Sequence, residues 1–387
     1  MKLDGVRVLD LSLLLPGPHL TQTMCDHGAE VISIEPPGGE PARAFGPVKN
    51  GHTPWFRSTH RGKKSLCLNL KLPEARAVLM RLVARADVFV EAFRPGVAAR
   101  LGIDYAAVSA VNPRIVYCSI TAFGQSGPLR DRPAHDLSIQ ALAGVANLNR
   151  GTNGEPALPG MPAADMCASL TALSGILMAL YRRTVTGRGD YIDISMHDAT
   201  LGWTQNVVGP IFAEGRAHDI PNERGWGGRA FYNVYRTADG RYLTLSGNEH
   251  KFVESLLHGL GRPDLVALGL SAPGPQQAPL TAFLREAFGR ETLEHWRHWF
   301  RDKDLCWGEV LDLKEAFAHE QAVARGMISA DGEGNPHIGL PVRYAAEPGR
   351  ADFRVPALNA DAASVLRDAG LSDGEIAALR VSGAVPG

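Results

Sequence analysis

The chain has 387 residues, 45% of them hydrophobic and 21% charged, which is the composition of a globular protein long enough for two domains. Forty basic residues against forty-one acidic ones leave a formal net charge of -1 at pH 7. This balance excludes a global electrostatic attraction to nucleic acid or to an anionic membrane, so an anionic ligand must be held by a local cluster of charges.

The five cysteines stand singly, with no C-x-x-C pair and no histidine-rich segment near them. Their spacing predicts neither a disulfide framework nor a zinc site, and we expect no metal. The first residues lack the apolar segment of a secretory signal, and no window approaches about eighteen uninterrupted apolar residues. We therefore expect a soluble, cytoplasmic protein that binds neither membrane nor nucleic acid.

The first 125 residues alternate between strand-like and helix-like patterns. Residues 6–11 and 30–34 predict two strands joined by a helix that ends near Gly28. A further helix and strand follow in PEARAVLMRLVARADVFVEAF, and PRIVYCSITAFG predicts another buried strand. Because strand–helix–strand crossovers are right-handed and make their strands parallel, we expect a Rossmann-like α/β layout.

The pattern changes after about residue 200. The segment GRAFYNVYRTADGRYLTLSG predicts a hairpin that turns at Asp239-Gly240, and helical spacing follows over 249–260 and 279–301. Residues 262–280 are rich in proline and glycine and predict a surface loop, and the tail from about 327 is rich in turn residues. We predict a second, smaller α+β domain.

The first strand-to-helix turn is the place where a dinucleotide would bind, and Glu35 closes the next strand where a ribose-binding acid would lie. The turn LSLLLPGPHLTQ holds a single glycine, Gly17, instead of G-x-G-x-x-G. This argues against NAD or FAD, and we interpret Glu35 as a solvated strand end.

A cluster of basic residues follows the predicted strands. Each alone is more often an ordinary surface charge, but together they predict contacts to a phosphorylated ligand, since Arg and Lys both suit phosphate. The cluster comprises Arg43, Arg61, Lys63, Lys64, Lys71, Arg94 and Arg100.

Six segments occur in the order seen in the CaiB/BaiF family, which contains the class III CoA-transferases and the α-methylacyl-CoA racemases. They are GVRVLDLSLLLPGPHLTQTMCDHGAEVISIEPPGGEPAR, RGKKSLCLNLKLPEA, FRPGVAARLGID, ITAFGQSGPLRDRPAHD, GRGDYIDISMHDA and YRTADGRYLTLSGNEHKF. The chain resembles this family over nearly its whole length.

The resemblance implies a Rossmann-like large domain built from both ends of the chain, a small domain inserted through long linkers, and a homodimer of two interlocked rings. We predict a large CoA-binding domain over 1–200, a linker over 201–224, a small domain over 225–326, and a segment that returns to the large domain over 327–387.

The resemblance also implies an acyl-CoA substrate, with no cofactor beyond the coenzyme A that this substrate carries. The adenosine diphosphate end is expected near Leu68, Lys71 and Arg100. We predict that Arg43 and Arg94 of the basic cluster join this CoA site.

Four positions bear on the chemistry. Asp165 matches the family's essential carboxylate, and His135 matches a position that is histidine in racemases and tyrosine in many transferases. Asp136 and Glu249 match the acidic neighbours of the racemase bases. The resemblance therefore implies proton transfer at carbon 2 of an acyl-CoA, with His135 and Asp165 as the two bases.

Physical chemistry supports such a pair. Epimerisation needs a base on one face, an acid on the other, and donors for the enolate between them. His135 can hold or release a proton near neutral pH, and Asp136 or Glu249 could orient it. We expect the positive N-terminal field of the apolar helix after Asp165 to favour its carboxylate form, and that helix's amides to bind the oxyanion.

Other interpretations stay open. Asp136 and Asp165 each precede an apolar run, so both also predict helix caps. The segment DMCASL departs from the glycine-rich sequence that follows this Asp in racemases, and HDLSIQALAG resembles transferase sequences. In a transferase Asp165 would attack a thioester and form an anhydride and then an enzyme-bound CoA thioester. We prefer racemase-like proton transfer to CoA transfer, and Asp165 argues against a non-catalytic CoA-binding protein.

A glycine-rich stretch ahead of the hairpin also has two interpretations. Gly225, Gly227 and Gly228 predict either a lid that closes over a substrate or a turn into the next strand. We favour the turn.

Overall fold

The structure is a computed structural model that describes residues 1–151 and 153–386. Its chain divides into two compact units. The first unit contains Met1–Ala146, Leu158–Gln205 and Glu320–Gly387, and the second contains Asn147–Ala157 and Asn206–His319.

These bounds differ from the predicted domains at three places. Residues 147–157 and the predicted linker residues 206–224 belong to the second unit, and residues 320–326 belong to the first.

The described strands form three sheets. Six parallel strands in the first unit are arranged in the order β3-β2-β1-β4-β5-β6, β10 and β11 form a hairpin in the same unit, and β7, β8 and β9 form an antiparallel sheet in the second unit. The strands are β1 (Arg7–Asp10), β2 (Glu30–Glu35), β3 (Lys64–Cys67), β4 (Val88–Glu91), β5 (Val116–Thr121), β6 (Asp190–Ser195), β7 (Asn233–Arg236), β8 (Tyr242–Leu245), β9 (Trp307–Glu309), β10 (Ile328–Ala330) and β11 (Pro336–Ile338).

This strand order is that of a doubly wound Rossmann-like sheet, so the predicted α/β fold with a smaller antiparallel sheet is confirmed. The helices are α1 (Pro16–Asp26), α2 (Pro54–His60), α3 (Pro73–Val83), α4 (Val97–Leu101), α5 (Tyr105–Val111), α6 (Asp136–Leu142), α7 (Val145–Leu148), α8 (Ala163–Thr186), α9 (Met196–Gly202), α10 (Gly209–Glu214), α11 (His250–Gly259), α12 (Val266–Gly269), α13 (Ala278–Gly289), α14 (Leu293–Phe300), α15 (Leu313–Ala318), α16 (Glu320–Ala324), α17 (Ala362–Asp368) and α18 (Asp373–Val381).

Both faces of the parallel sheet are covered by helices. Successive residues of a strand point to opposite faces, so Val8 of β1 packs with α1 and α8, whereas Leu9 packs with α3, α17 and α18 on the other side. The strands therefore read as continuous apolar runs, as expected for a parallel sheet that is buried on both faces.

Local signals explain where several elements begin. Proline stands in the first turn of α1, α2 and α3, where its missing amide hydrogen leaves no helical bond unmade. The single helix predicted over 279–301 is two helices, because the hydroxyl of Thr292 caps a new start at α14.

The tail also differs from its prediction as a turn-rich segment. It forms two further helices, α17 and α18, and the second begins with a reciprocal capping box between Ser372 and Glu375. Their buried side chains complete one of the two cores of the first unit.

One helix of the described chain, α8, is long and apolar enough to cross a membrane by length and composition alone. Its buried side packs on β5, β6 and α1, as a core helix does, so no membrane protein is indicated.

Candidate active site

The predicted CoA-binding residues follow the carboxyl ends of three strands of the parallel sheet, β2, β3 and β4. Arg43 follows β2, Leu68 and Lys71 follow β3, and Arg94 and Arg100 follow β4. Ligands of doubly wound sheets bind at this edge, at the point where the strand order reverses, which here lies between β1 and β4. The topology therefore brings these residues to the edge where a CoA site is expected.

Four of the seven basic residues already have carboxylate partners. The closest nitrogen–oxygen distances are 2.7 Å for Arg43 with Glu35, 2.7 Å for Arg61 with Asp26, 3.1 Å for Lys63 with Asp10 and 2.5 Å for Lys64 with Glu30. Lys71, Arg94 and Arg100 are exposed and have no ion pair among the residues that the structure describes. These three are the cations available to a phosphate.

Glu35 is not the solvated strand end that we predicted. It is only 2% exposed, and its carboxylate accepts two hydrogen bonds of 2.7 Å from Arg43 and one of 2.6 Å from the Ser65 hydroxyl. The guanidinium of Arg43 also lies 4.0 Å above the ring of Phe56. Arg43 is thus held as part of a buried ion pair, and Leu68 is itself almost completely buried.

The turn between β1 and α1 has a backbone that the sequence did not predict. Leu14 has a φ of 68°, in the left-handed region that leucine rarely adopts. Its amide donates to Oε1 of Glu40 at 2.8 Å, and Glu40 is buried with Oε2 unpartnered. Burial raises the pKa of Glu40. No local sequence pattern indicates this contact, because the two residues are 26 positions apart.

A buried polar network lies behind the same turn. Lys63 Nζ donates to Asp10 at 3.1 Å and to the Thr21 hydroxyl at 2.7 Å, and the Ser12 amide donates to Asp10 at 3.0 Å. Lys63 and Asp10 are both fully buried. Lys63 therefore holds the turn in place and is not available to a ligand.

Asp136 caps a different helix from the one that we predicted. In α6 the capping position belongs to His135, whose side chain makes no capping bond, and Asp136 is the first helical residue. Its Oδ1 accepts the amides of Ala164 at 2.8 Å and Asp165 at 3.2 Å, in the first turn of α8. The side-chain amide of Gln140 donates to Oδ2 of Asp136 at 2.7 Å. Asp136 thus fastens α6 to the start of α8.

This arrangement reverses two expectations about Asp165. Asp165 is the third residue of α8 and not its cap. Burial, and then the charge of Asp136, raise the pKa of Asp165 to about 7, so the helix field does not hold it in the carboxylate form. Because Asp136 already accepts two amides of this turn, those amides are not free to bind an oxyanion.

His135 is exposed, and its imidazole has no hydrogen-bond partner within the described part of the chain. The oxygens of Asp136 bond to α8 and to Gln140, so Asp136 does not orient the ring as we had expected. Glu249 lies in the second unit, exposed at the start of α11.

His19, in the first turn of α1, was not among the site residues predicted from the sequence. Its Nδ1 lies 2.8 Å from the hydroxyl of Ser169, which is one helical turn after Asp165 on α8. Burial lowers the pKa of His19, which favours its neutral form. The sequence signal that could have identified His19 is its place directly after the first strand-to-helix turn.

The glycine-rich stretch of the second unit contains a close backbone contact. Gly227 has a φ of 94°, and a Cβ on Gly228 would come within 2.3 Å of the Asn222 backbone. Both glycines are therefore required by a turn in this unit.

Comparison with known proteins identifies the family. The family described as CoA-transferase family III matches residues 3–362. The acetyl-CoA:oxalate CoA-transferase of Acetobacter aceti is 35% identical over 344 residues, which cover 86% of this chain and 88% of the relative. The mouse alpha-methylacyl-CoA racemase is 33% identical over 391 residues, which cover 98% and 96%.

A solved structure agrees with these sequence matches. A CaiB/BaiF family protein from Brucella suis has a TM-score of 0.84 with 32% identity, and the match covers 95% of this chain and 99% of that one. The described fold, the carboxyl-edge site and the match over most of the chain lead to one conclusion. The chain is an enzyme of CoA-transferase family III.

Proposed function

We propose that this enzyme epimerises carbon 2 of a 2-methylacyl-CoA by proton transfer between Asp165 and His135. The observation that carries the proposal is the hydrogen bond of 3.2 Å from the Asp165 amide to Asp136, the residue next to His135. Burial and the charge of Asp136 raise the pKa of Asp165 to about 7, which supports the same role. A group that titrates near the working pH is suited to both removing and returning a proton.

The steps balance without a co-reactant. The Asp165 carboxylate takes the proton from carbon 2, and the electron pair of that C–H bond moves into the thioester to form an enolate. Protonated His135 then delivers a proton to the opposite face of carbon 2, which regenerates the thioester carbonyl. In the reverse direction neutral His135 is the base and protonated Asp165 the acid.

The phosphates of the substrate's CoA would be held by Lys71, Arg94 and Arg100, since these cations have no carboxylate partner in the described chain. The enolate oxygen is not assigned to the first amides of α8, because Asp136 accepts them. No other cofactor is part of the proposal.

Deuterium uptake tests the proposal. Purified enzyme with a 2-methylacyl-CoA in deuterated water should exchange the proton at carbon 2, and Asp165→Asn and His135→Ala should each lower the rate by about 10² to 10⁴. Asp198→Asn and His258→Ala, which change exposed side chains of the same types, should leave the rate unchanged. Absence of exchange with every branched acyl-CoA tested would overturn the proposal.

CoA transfer is the second candidate, favoured by Gln140, which lies in the transferase-like segment, and by the Acetobacter relative, which is named a CoA-transferase. In this chemistry the Asp165 carboxylate attacks the donor thioester and CoA leaves as a thiolate, forming an anhydride. The thiolate then attacks the Asp165 carbonyl and releases the donor acid, which leaves a CoA thioester on Asp165. The acceptor carboxylate attacks this thioester, which releases the CoA thiolate and forms a second anhydride. The thiolate then attacks the acceptor's carbonyl, which forms the new acyl-CoA and frees the Asp165 carboxylate.

Racemisation and CoA transfer can be distinguished by one trapping experiment and by one variant. Hydroxylamine added during turnover with a free carboxylic acid should convert Asp165 to a hydroxamate only if CoA transfer occurs. His135→Ala should lower the rate of racemisation by about 10² to 10⁴ while leaving transfer nearly intact.

We also propose that the enzyme is an interlocked homodimer in the cytoplasm. The five cysteines are free thiols, as in proteins of a reducing compartment. One face of α8 is apolar and exposed, with Met178 at 67%, Tyr181 at 78% and Val185 at 71% exposure. An apolar face of this size on a soluble protein is typical of a subunit interface.

A further inference from the structure

A cavity of about 350 Å³ lies in the first unit, formed by three segments of the chain. Its walls come from residues 50–57 around the start of α2, from 331–335 in the hairpin of β10 and β11, and from 353–355. None of the residues assigned above to catalysis or to CoA lines it. A space of this volume suits a small organic molecule.

Arg57, in the wall of this cavity, is a buried cation without an anionic partner. The residue is only 2% exposed, and Nη2 donates to the Lys49 carbonyl at 2.8 Å. Nε and Nη1 are buried with no hydrogen-bond partner, and no carboxylate pairs with Arg57 in the described part of the chain. A buried cation with two donors that no protein group accepts is unfavourable, and an anion within hydrogen-bond distance would offset that cost.

The acidic residues of the wall do not supply that anion. Asp331 accepts the amides of Glu333 at 3.0 Å and Asn335 at 2.9 Å, and it also binds the Asn335 side chain at 2.8 Å. Its remaining contact is with His337 Nε2 at 3.2 Å. Glu333 is exposed at the tip of the hairpin.

We propose that this cavity is a binding site for a small monocarboxylate, whose charge is matched by Arg57. Asn50, His52 and Arg354 also line the cavity and add hydrogen-bonding groups. Asp331 and Glu333 repel anions, and they repel a phosphate dianion more strongly than a monocarboxylate, which favours the monocarboxylate. The site is separate from Asp165 and does not depend on which reaction the enzyme catalyses.

Thermal denaturation of the full chain with acetate, propionate or butyrate tests the proposal. At constant ionic strength, one of these acids should raise the Tm saturably, by about 2 °C at tenfold excess over its Kd. Arg57→Met should remove this response without lowering the Tm of the ligand-free protein, because it also removes an unpaired buried charge. Arg290→Met, at an exposed arginine of the second unit, should keep the response.

A second variant blocks the cavity and keeps the charge. Gly332 lines the cavity, and a Cβ there would meet no atom within 4 Å, so Gly332→Phe should fold and lose the response. If Arg57→Met does not fold, the Tm response of Gly332→Phe to the acids tests the proposal by itself. The proposal is overturned if none of the three acids raises the Tm at concentrations up to about 50 mM. It is also overturned if the acids raise the Tm of both variants as much as that of the native chain, or if phosphate raises the native Tm as much as the acids do.

Discussion

Asp165 and Asp136 show how a neighbouring side chain can override a helix dipole. The positive end of α8 would favour an ionised Asp165, but Asp136 already accepts two of the amides that create this field. The pKa of Asp165 is instead raised by burial and by repulsion from the Asp136 carboxylate. Burial is the larger cause of the raised pKa of Asp165, and the charge of Asp136 adds to it.

Asp165→Asn should therefore stabilise the fold in a pH-dependent way. A carboxyl whose pKa rises from 3.8 to about 7 on folding opposes folding increasingly as pH climbs through that range. The stability advantage of the asparagine variant should grow by about 2.6 kcal/mol between pH 5 and pH 8. Urea denaturation at both pH values measures it, and an advantage that is the same at both would contradict the assigned pKa.

The turn between β1 and α1, at the carboxyl edge of the sheet, has a strained backbone. Leu14 is held in a left-handed conformation by Glu40, and a Cβ on Gly17 would lie 2.0 Å from the Ser12 hydroxyl. Gly17 is thus required by close packing within the turn and not by a dinucleotide. Backbone strain of this kind is held in place by the surrounding contacts and concentrates at ligand sites.

Glycine substitutions measure this strain. Glycine adopts a positive φ without steric cost, so Leu14→Gly should be at least about 1 kcal/mol more stable than Leu13→Gly, whose native φ is not positive. Both variants lose a leucine of similar, intermediate exposure. Urea denaturation compares them, and an equal loss of stability in the two would show that Leu14 is unstrained.

The exposed face of α8 is the surface proposed above as the dimer interface. Met178, Tyr181 and Val185 recur at helical spacing on the helix that begins near Asp165. The same helix therefore carries the proposed base at its start and the proposed dimer contact along its length.

If the proposed dimer forms through this face, Tyr181→Glu should convert it to a monomer, because an unpaired carboxylate would be buried in the interface. Light scattering after size-exclusion chromatography measures the mass. Val381→Glu places the same charge at a position 91% exposed on α18 and should leave the mass unchanged. A dimeric Tyr181→Glu protein would place the interface elsewhere.

Local patterns were enough to predict much of the fold. Apolar runs at 6–11 and 30–34 identified β1 and β2, and Asp239-Gly240 identified the turn between β7 and β8. Period, turn residues and crossover handedness are properties of neighbouring residues or of the polypeptide in general, so they can be read from the sequence. The strands β3 and β6 were not recognised from their own pattern.

The site depended on contacts between distant residues. The sequence marked Asp165, His135 and the basic cluster as candidates, but the pairing of Arg43 with Glu35 and of Lys63 with Asp10 became visible only in three dimensions. Asp136 was recognisable as a cap, but the helix it caps begins 27 residues later. Composition and spacing specify which groups are present, whereas charge state and availability depend on which groups the tertiary structure brings into contact and removes from water.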